Sequence, residues 1–192
     1  MTEPGQHRPD RRHQNIIKRY FEILNLYPKI DDPALARRID EFTMSATPDE
    51  LFRMQNTVFD AGRAYMSGDS DWETIIRHLD GKEVGLQISD EYSSTVAVQN
   101  GEFNMEKWIR DPGIPVFKVA SRRDYVDALL RRKDLIRMII RVRLGATHKI
   151  TLARWGLSFF HLLSNDDLLH GLLDKWGDAE RILSETLSSM GF

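Results

Sequence analysis

The sequence predicts an α+β fold: helices over one face of a β-sheet, preceded by a helical N-terminal extension. Three observations carry this. Apolar residues recur at helical spacing through the first 70 residues, and the period shifts to two between residues 84 and 119. Residues 142–152 then alternate so that Val142, Leu144, Ala146, His148, Ile150 and Leu152 share one side and Arg141, Arg143 and Lys149 the other. A strand with one cationic, wet face belongs to a sheet that buries only its other face. At 192 residues the chain suits one core, with an extension over 1–70 and the main domain over 71–192.

The elements follow in order. Ile16, Ile17, Tyr20, Phe21, Leu24 and Tyr27 mark a first helix that Pro28 ends. Asp32 before Pro33 is an N-cap, and Leu35, Ile39 and Phe42 supply the apolar side of the helix it opens. Thr47, Pro48, Asp49 and Glu50 form a capping box ahead of the stripe Leu51, Met54, Val58, Ala61 and Tyr65. A helix with Trp72, Ile75, Ile76 and Leu79 runs into the Asp80-Gly81 turn. Val84, Leu86 and Ile88 then alternate as a strand, followed by strands over 94–99 and 102–108 joined at Asn100-Gly101, a pair suited to a two-residue hairpin. After the break at Asp111-Pro112-Gly113 comes a short strand over 116–119. Ser121 and Asp134 open the next two helices, before the strand over 142–152. Trp155, Phe159, Phe160 and Leu163 begin the covering helix. Two more helices follow, through Leu168, Leu169, Leu172 and Leu173 and then Ile182, Leu183 and Leu187.

Composition excludes several function classes. There is no cysteine, hence no disulfide, zinc–thiolate site, iron–sulfur cluster or thiol nucleophile. The six histidines at 7, 13, 78, 148, 161 and 170 lack metal-ligand spacing, and no Gly-x-Ser-x-Gly elbow, phosphate-binding Gly-Lys-Ser loop or Gly-x-Gly-x-x-Gly turn occurs. His148 and His161 stay open as bases in an apolar pocket, although a histidine among apolar residues is more often a satisfied core residue. The adjacent Asp90 and Glu91 point to different sides of a strand junction, as in a solvated turn. The uncharged run 155–165 is far below the roughly 20 residues of a bilayer-spanning helix. Residues 1–14 carry charge and proline without an apolar stretch, so no secretory signal is expected and the cytoplasm is the default compartment.

Charge is uneven. Net charge is −2, yet residues 122–154 hold ten Lys or Arg against three Asp, a local +7 that leaves −9 for the rest. The basic side chains are not interleaved with aromatics that could stack on bases, which argues against nucleic acid.

From 71 to 163 the order of elements resembles the sterol carrier protein type 2 family. The resemblance rests on the helix entering Asp80-Gly81-Lys82, the meander with its Asn100-Gly101 hairpin, and Asp111-Pro112 before Val116-Phe117-Lys118-Val119. The helix pair opened by Ser121 and Asp134 and the following strand complete it. It implies a five-stranded mixed sheet with helices on one face and an apolar tunnel between them. The tunnel would carry a fatty acid, fatty acyl-CoA, sterol or phospholipid without catalysis or cofactor. By analogy the walls come from Met105, Trp108, Phe117, Ile136, Ile139, Ile140, Leu144, Phe159 and Phe160, side chains that a dry core would use equally. Arg131, Arg132, Arg137, Arg141 and Arg143 would receive an anionic headgroup near the tunnel mouth or dock the protein on an anionic membrane. The N-terminal helices would cover the sheet or mediate self-association as a homodimer. Two other classes remain: a helical interaction module or accessory subunit whose apolar groove holds a partner helix, and an enzyme using His148 or His161.

Overall fold

A computed structural model describes residues 30–155, 171 and 176–192. Helices α1 (Pro33–Ser45) and α2 (Pro48–Met66) start where their caps dictate. The Asp32 carboxylate accepts from the Ala34 N–H at 2.8 Å. At Thr47 the hydroxyl accepts from the Glu50 N–H while the Glu50 carboxylate accepts from the Thr47 N–H at 2.7 Å, so two orphan donors of the first turn are paired reciprocally. Helix α3 (Ser70–Leu79) leads to β1 (Glu83–Ile88), β2 (Tyr92–Gln99) and β3 (Glu102–Lys107). Then come β4 (Val116–Val119), α4 (Arg122–Leu129), α5 (Leu135–Ile140), β5 (Leu144–Ala146) and α6 (Trp176–Ser189). The expected helices over 16–27 and 168–173 lie outside the described residues. So does the covering helix beyond Trp155.

The fold is α+β with a five-stranded mixed sheet in the order β3-β2-β1-β4-β5. β1, β2 and β3 form an antiparallel meander, and both Asn100 and Gly101 at its hairpin adopt the positive φ that a tight turn between right-twisted strands requires. β4 then pairs parallel with β1, so the chain from β3 must cross beneath two strands. Gly85 makes room for that crossing. A Cβ there would sit 3.0 Å from Val116 Cγ2 and 3.2 Å from Ile109 Cγ1. The Thr95 hydroxyl, buried on the same side, donates to the Trp108 carbonyl at 2.8 Å.

The alternation over 142–152 predicts one long strand, and this is corrected to the three residues of β5. β4 offers only four residues of partner backbone, so a longer β5 would leave its amides unpaired. Thr147 closes the pairing with its N–H on the Val116 carbonyl and its hydroxyl accepting from the Val116 N–H, both at 2.9 Å. His148 (φ +47°) turns the chain away, and 149–155 are helical. Two boundaries also move: β2 begins at Tyr92 rather than 94, and β3 ends before Trp108.

Pairing Leu86 with Ser94 and Phe117, and Val96 with Met105, places these residues on one sheet face with Ile88 and Tyr92. Helices lie over that face. One core cluster joins Leu35, Ile39 and Phe42 of α1 and Leu51 and Met54 of α2 to Ile88, Tyr92, Val126 of α4 and Leu187 of α6. It draws on both sides of residue 70: α1 and α2 pack into the same core as the sheet. Among the described residues no helix is long and apolar enough to cross a membrane.

Arginines in and just after α4 clamp this layer. Arg122 donates to Glu91 at 2.8 Å and to the Thr43 and Ala46 carbonyls at the end of α1, joining the β1–β2 turn, α1 and α4 through one mostly buried guanidinium. Arg132 and Arg123 both bind Asp40, and the Arg132 hydrogen bond leads in holding that carboxyl below its ordinary range. Its contribution is complete above the ordinary carboxylate pKa and fades as acid protonates it. Replacing Arg122 leaves the α1 carbonyls without their donor. We expect Arg122→Ala to cost about 2 kcal/mol and lower Tm by about 4–8 °C, read by thermal denaturation against wild type.

Candidate functional site

Between the covered sheet face and the helices lies a cavity of about 480 Å³. Its floor is Leu86, Val96, Met105 and Phe117, one from each of the strands β1 to β4. Met54, Val58 and Phe59 of α2 form one wall, Tyr125 and Leu129 of α4 a second, and Ala179, Glu180 and Leu183 of α6 a third. This layout follows from local rules. The Thr47 box sets the start of α2, and steps of four residues then bring Met54 and Val58 onto one side. Strand pairing brings the i, i+2 set of each strand onto the same face.

Polar groups gather at one spot. The Tyr92 hydroxyl donates to Gln55 Oε1 at 2.6 Å, Gln55 Nε2 donates to the Tyr125 oxygen at 3.2 Å, and Ser94 Oγ lies 3.5 Å from Gln55 Oε1. Gln55, Ser94 and Tyr125 all face the cavity. Burial pushes the Tyr92 hydroxyl up to about 12. It is therefore protonated at neutral pH and acts as a neutral donor, not as a base. An apolar chamber with one uncharged hydrogen-bonding corner can hold a greasy molecule and orient a hydroxyl or carbonyl on it.

The residues assigned to the tunnel wall by resemblance separate on inspection. Met105 and Phe117 line the cavity. Leu144 is half-buried on the same sheet face, opposite Val119, but outside the cavity wall. Trp108 is 57% exposed with φ +78°, its ring stacked under the Lys107 ammonium 5.0 Å away. Three positions from Met105 along a strand means the opposite face, so both cannot share one wall. Ile139 and Ile140 are exposed, because the short helix α5 turns Met138 inward. The side chain of Ile136, and Phe159 and Phe160 altogether, lie outside the described residues. His148 is exposed, its Nδ1 3.2 Å from Thr147 Oγ1, away from the cavity lining; His161 also lies outside the described residues.

Sequence reasoning missed Gln55, Tyr125 and the α2 and α6 walls. One signal was present: Ser94 is polar on the otherwise apolar parity Tyr92, Val96, Val98, which marks a polar group facing the buried side. Of the five arginines assigned to a headgroup, Arg132, Arg137, Arg141 and Arg143 line a second hollow of about 690 Å³ with Lys133, Asp124 and Asp134. Arg131 stands outside that lining, at the left-handed residue that ends α4. The two hollows share no lining residue, and α4 contributes to both.

No family model matches the chain, and no curated protein matches it either. The site's chemistry therefore rests on its own geometry. A group whose pKa is raised by folding contributes stability that is complete below its ordinary pKa, near 10 for tyrosine, and lost as pH rises through the folded value. In a spectrophotometric titration of the five tyrosines, we expect one to ionise last, near pH 12, and to disappear in Tyr92→Phe, with wild-type stability falling above pH 10.

Proposed function

We propose that the protein binds a hydrophobic ligand non-covalently in the cavity between sheet and helices. The ligand class is a fatty acid, fatty acyl-CoA, sterol or phospholipid. The observation that carries this reading is the cavity itself, about 480 Å³ and walled almost wholly by apolar side chains. That volume falls within the range of small-molecule sites. Water filling it would find few partners beyond Gln55, Ser94, Tyr125 and Glu180. An acyl chain gains about 0.8 kcal/mol per buried methylene, so ten of them give about 8 kcal/mol before the cost of association. Met54 and Met105 suit such a guest because an unbranched thioether adapts its shape to what it packs against. The resemblance to the sterol carrier protein type 2 family points to the same ligands. In this reading the Gln55–Tyr92–Tyr125 corner receives the ligand's polar end.

The cytoplasm is the compartment this reading assumes. A partner helix seated in the same groove is the competing occupant, and the half-exposed rings of Phe59 and Phe117 at the cavity are what it would grip.

Native mass spectrometry of the purified protein, with titration by a fluorescent polyene fatty acid, tests the proposal. We expect a copurifying acyl or sterol ligand, or saturable uptake of the probe. Met105→Trp, which sets a larger ring into the chamber floor and narrows it, should weaken uptake severalfold with a Tm within a few degrees of wild type. A stoichiometric protein partner in place of lipid, together with no probe uptake, would overturn it.

A further inference from the structure

Helix α5 and the turn after it present an apolar surface that the fold does not use. Met138 is buried, whereas Ile139 is 59%, Ile140 73% and Val142 79% exposed. The turn is a left-handed helix closure: the Val142 N–H donates to the Ile139 carbonyl at 3.0 Å and the Arg143 N–H to the Met138 carbonyl at 2.8 Å. Its left-handed residue is Val142, at φ +57°. The same closure ends α6, where the residue is Gly191 at φ +89°, the type that tolerates this conformation. A β-branched residue there is sterically disfavoured, and one that stays exposed gains nothing from packing in return.

Cations adjoin this apolar tip along the chain. Arg137, Arg141 and Arg143 flank it and line the basic hollow with Arg132 and Lys133, against Asp124 and Asp134. Arg132 is engaged by Asp40 and Lys133 by Asp127. Among the described residues Arg137 and Arg141 have no ion-pair partner, and Arg143 reaches only Asp124, at 3.8 Å. Exposed branched aliphatics next in sequence to Arg137, Arg141 and Arg143, with the first two unpaired among the described residues, match the two layers of a bilayer surface bearing anionic lipids, acyl chains below and phosphates above.

We propose that the α5–β5 corner docks the protein on anionic membranes, with Ile139, Ile140 and Val142 entering the interface and Arg137, Arg141 and Arg143 meeting lipid phosphates. This surface acts whatever occupies the apolar cavity. Its partner is the bilayer, not soluble phosphate, which would engage the arginines and ignore the aliphatic tip.

Cosedimentation with vesicles of phosphatidylcholine alone, or with about one third phosphatidylserine, tests this. The full-length protein should partition onto the mixed vesicles and release with salt. The double variant R141E/R143E should bind them about tenfold less or worse. Val142→Gly removes both the aliphatic group and the disfavoured conformation, so it should raise Tm while weakening vesicle binding severalfold, a pairing that a structural role for Val142 does not produce. Ile140→Ser, at an exposed position, should weaken binding without loss of Tm. Met105→Trp should dock as wild type does, which separates failure here from failure of the cavity reading. Equal binding to neutral vesicles, no partition onto mixed ones, or wild-type binding by Val142→Gly and R141E/R143E would each overturn the proposal.

Discussion

Gln55 is the joint of this molecule. Its amide stands between the Tyr92 hydroxyl of β2 and the Tyr125 hydroxyl of α4, so sheet, long helix and short helix meet through one side chain. Buried polar groups must stay paired, and pulling any of the three away from the others leaves a desolvated donor or acceptor worth about 1–3 kcal/mol. Collapse of α2 onto the sheet would have to break this set. The same set fixes α2 against β2 and α4 beside the hollow over Val96 and Met105. Because the hydroxyl of Tyr92 keeps its proton throughout the neutral range, the joint carries no charge and does not loosen with ordinary changes of pH.

The basic segment divides into two populations. Arg122, Arg123 and Arg132 are committed to Glu91, Asp40 and the carbonyls ending α1, and they fasten helices to one another. Lys133 likewise answers the buried Asp124 and Asp127. Among the described residues Arg137 and Arg141 answer nothing of this kind. Position along the chain does not separate the groups, since Arg132 and Arg137 are one helical turn and a loop apart. What separates them is whether a carboxylate from α1, α4 or the β1–β2 turn falls within reach. A count of charges in a window reports the sum of both roles, which is why the local +7 could suggest an anion site without saying which arginines are free for one.

Legibility varied in the same physical way. The caps at Asp32, Thr47 and Ser121 act over two or three residues, and each is formed as its spacing predicts. The meander and the Asn100-Gly101 hairpin depend on adjacent segments and were equally readable. Residues 142–152 were misread because their alternation fits a strand wherever a partner exists, and β4 supplies partner backbone for only three of them. Trp108 was placed on the wrong wall although its spacing from Met105 already denied it the same strand face. Of the wall residues drawn by analogy, Met105 and Phe117 reach the cavity, and its α2, α4 and α6 walls were found only in the fold.

Among the described residues up to β5, the sequence by itself determined the kind and order of the elements and which face of β1 to β4 is buried, because capping, turn conformation and side-chain period are set by neighbours along the chain. Only the tertiary structure decided that α2 and α6 roof the sheet and that Gln55 meets two tyrosines. It also decided that, among the described residues, Arg122 finds ion-pair and carbonyl partners and Arg141 finds no carboxylate. Those outcomes depend on distances between groups 30 to 150 residues apart, which hydrophobic pattern constrains only in the sense of inside or outside.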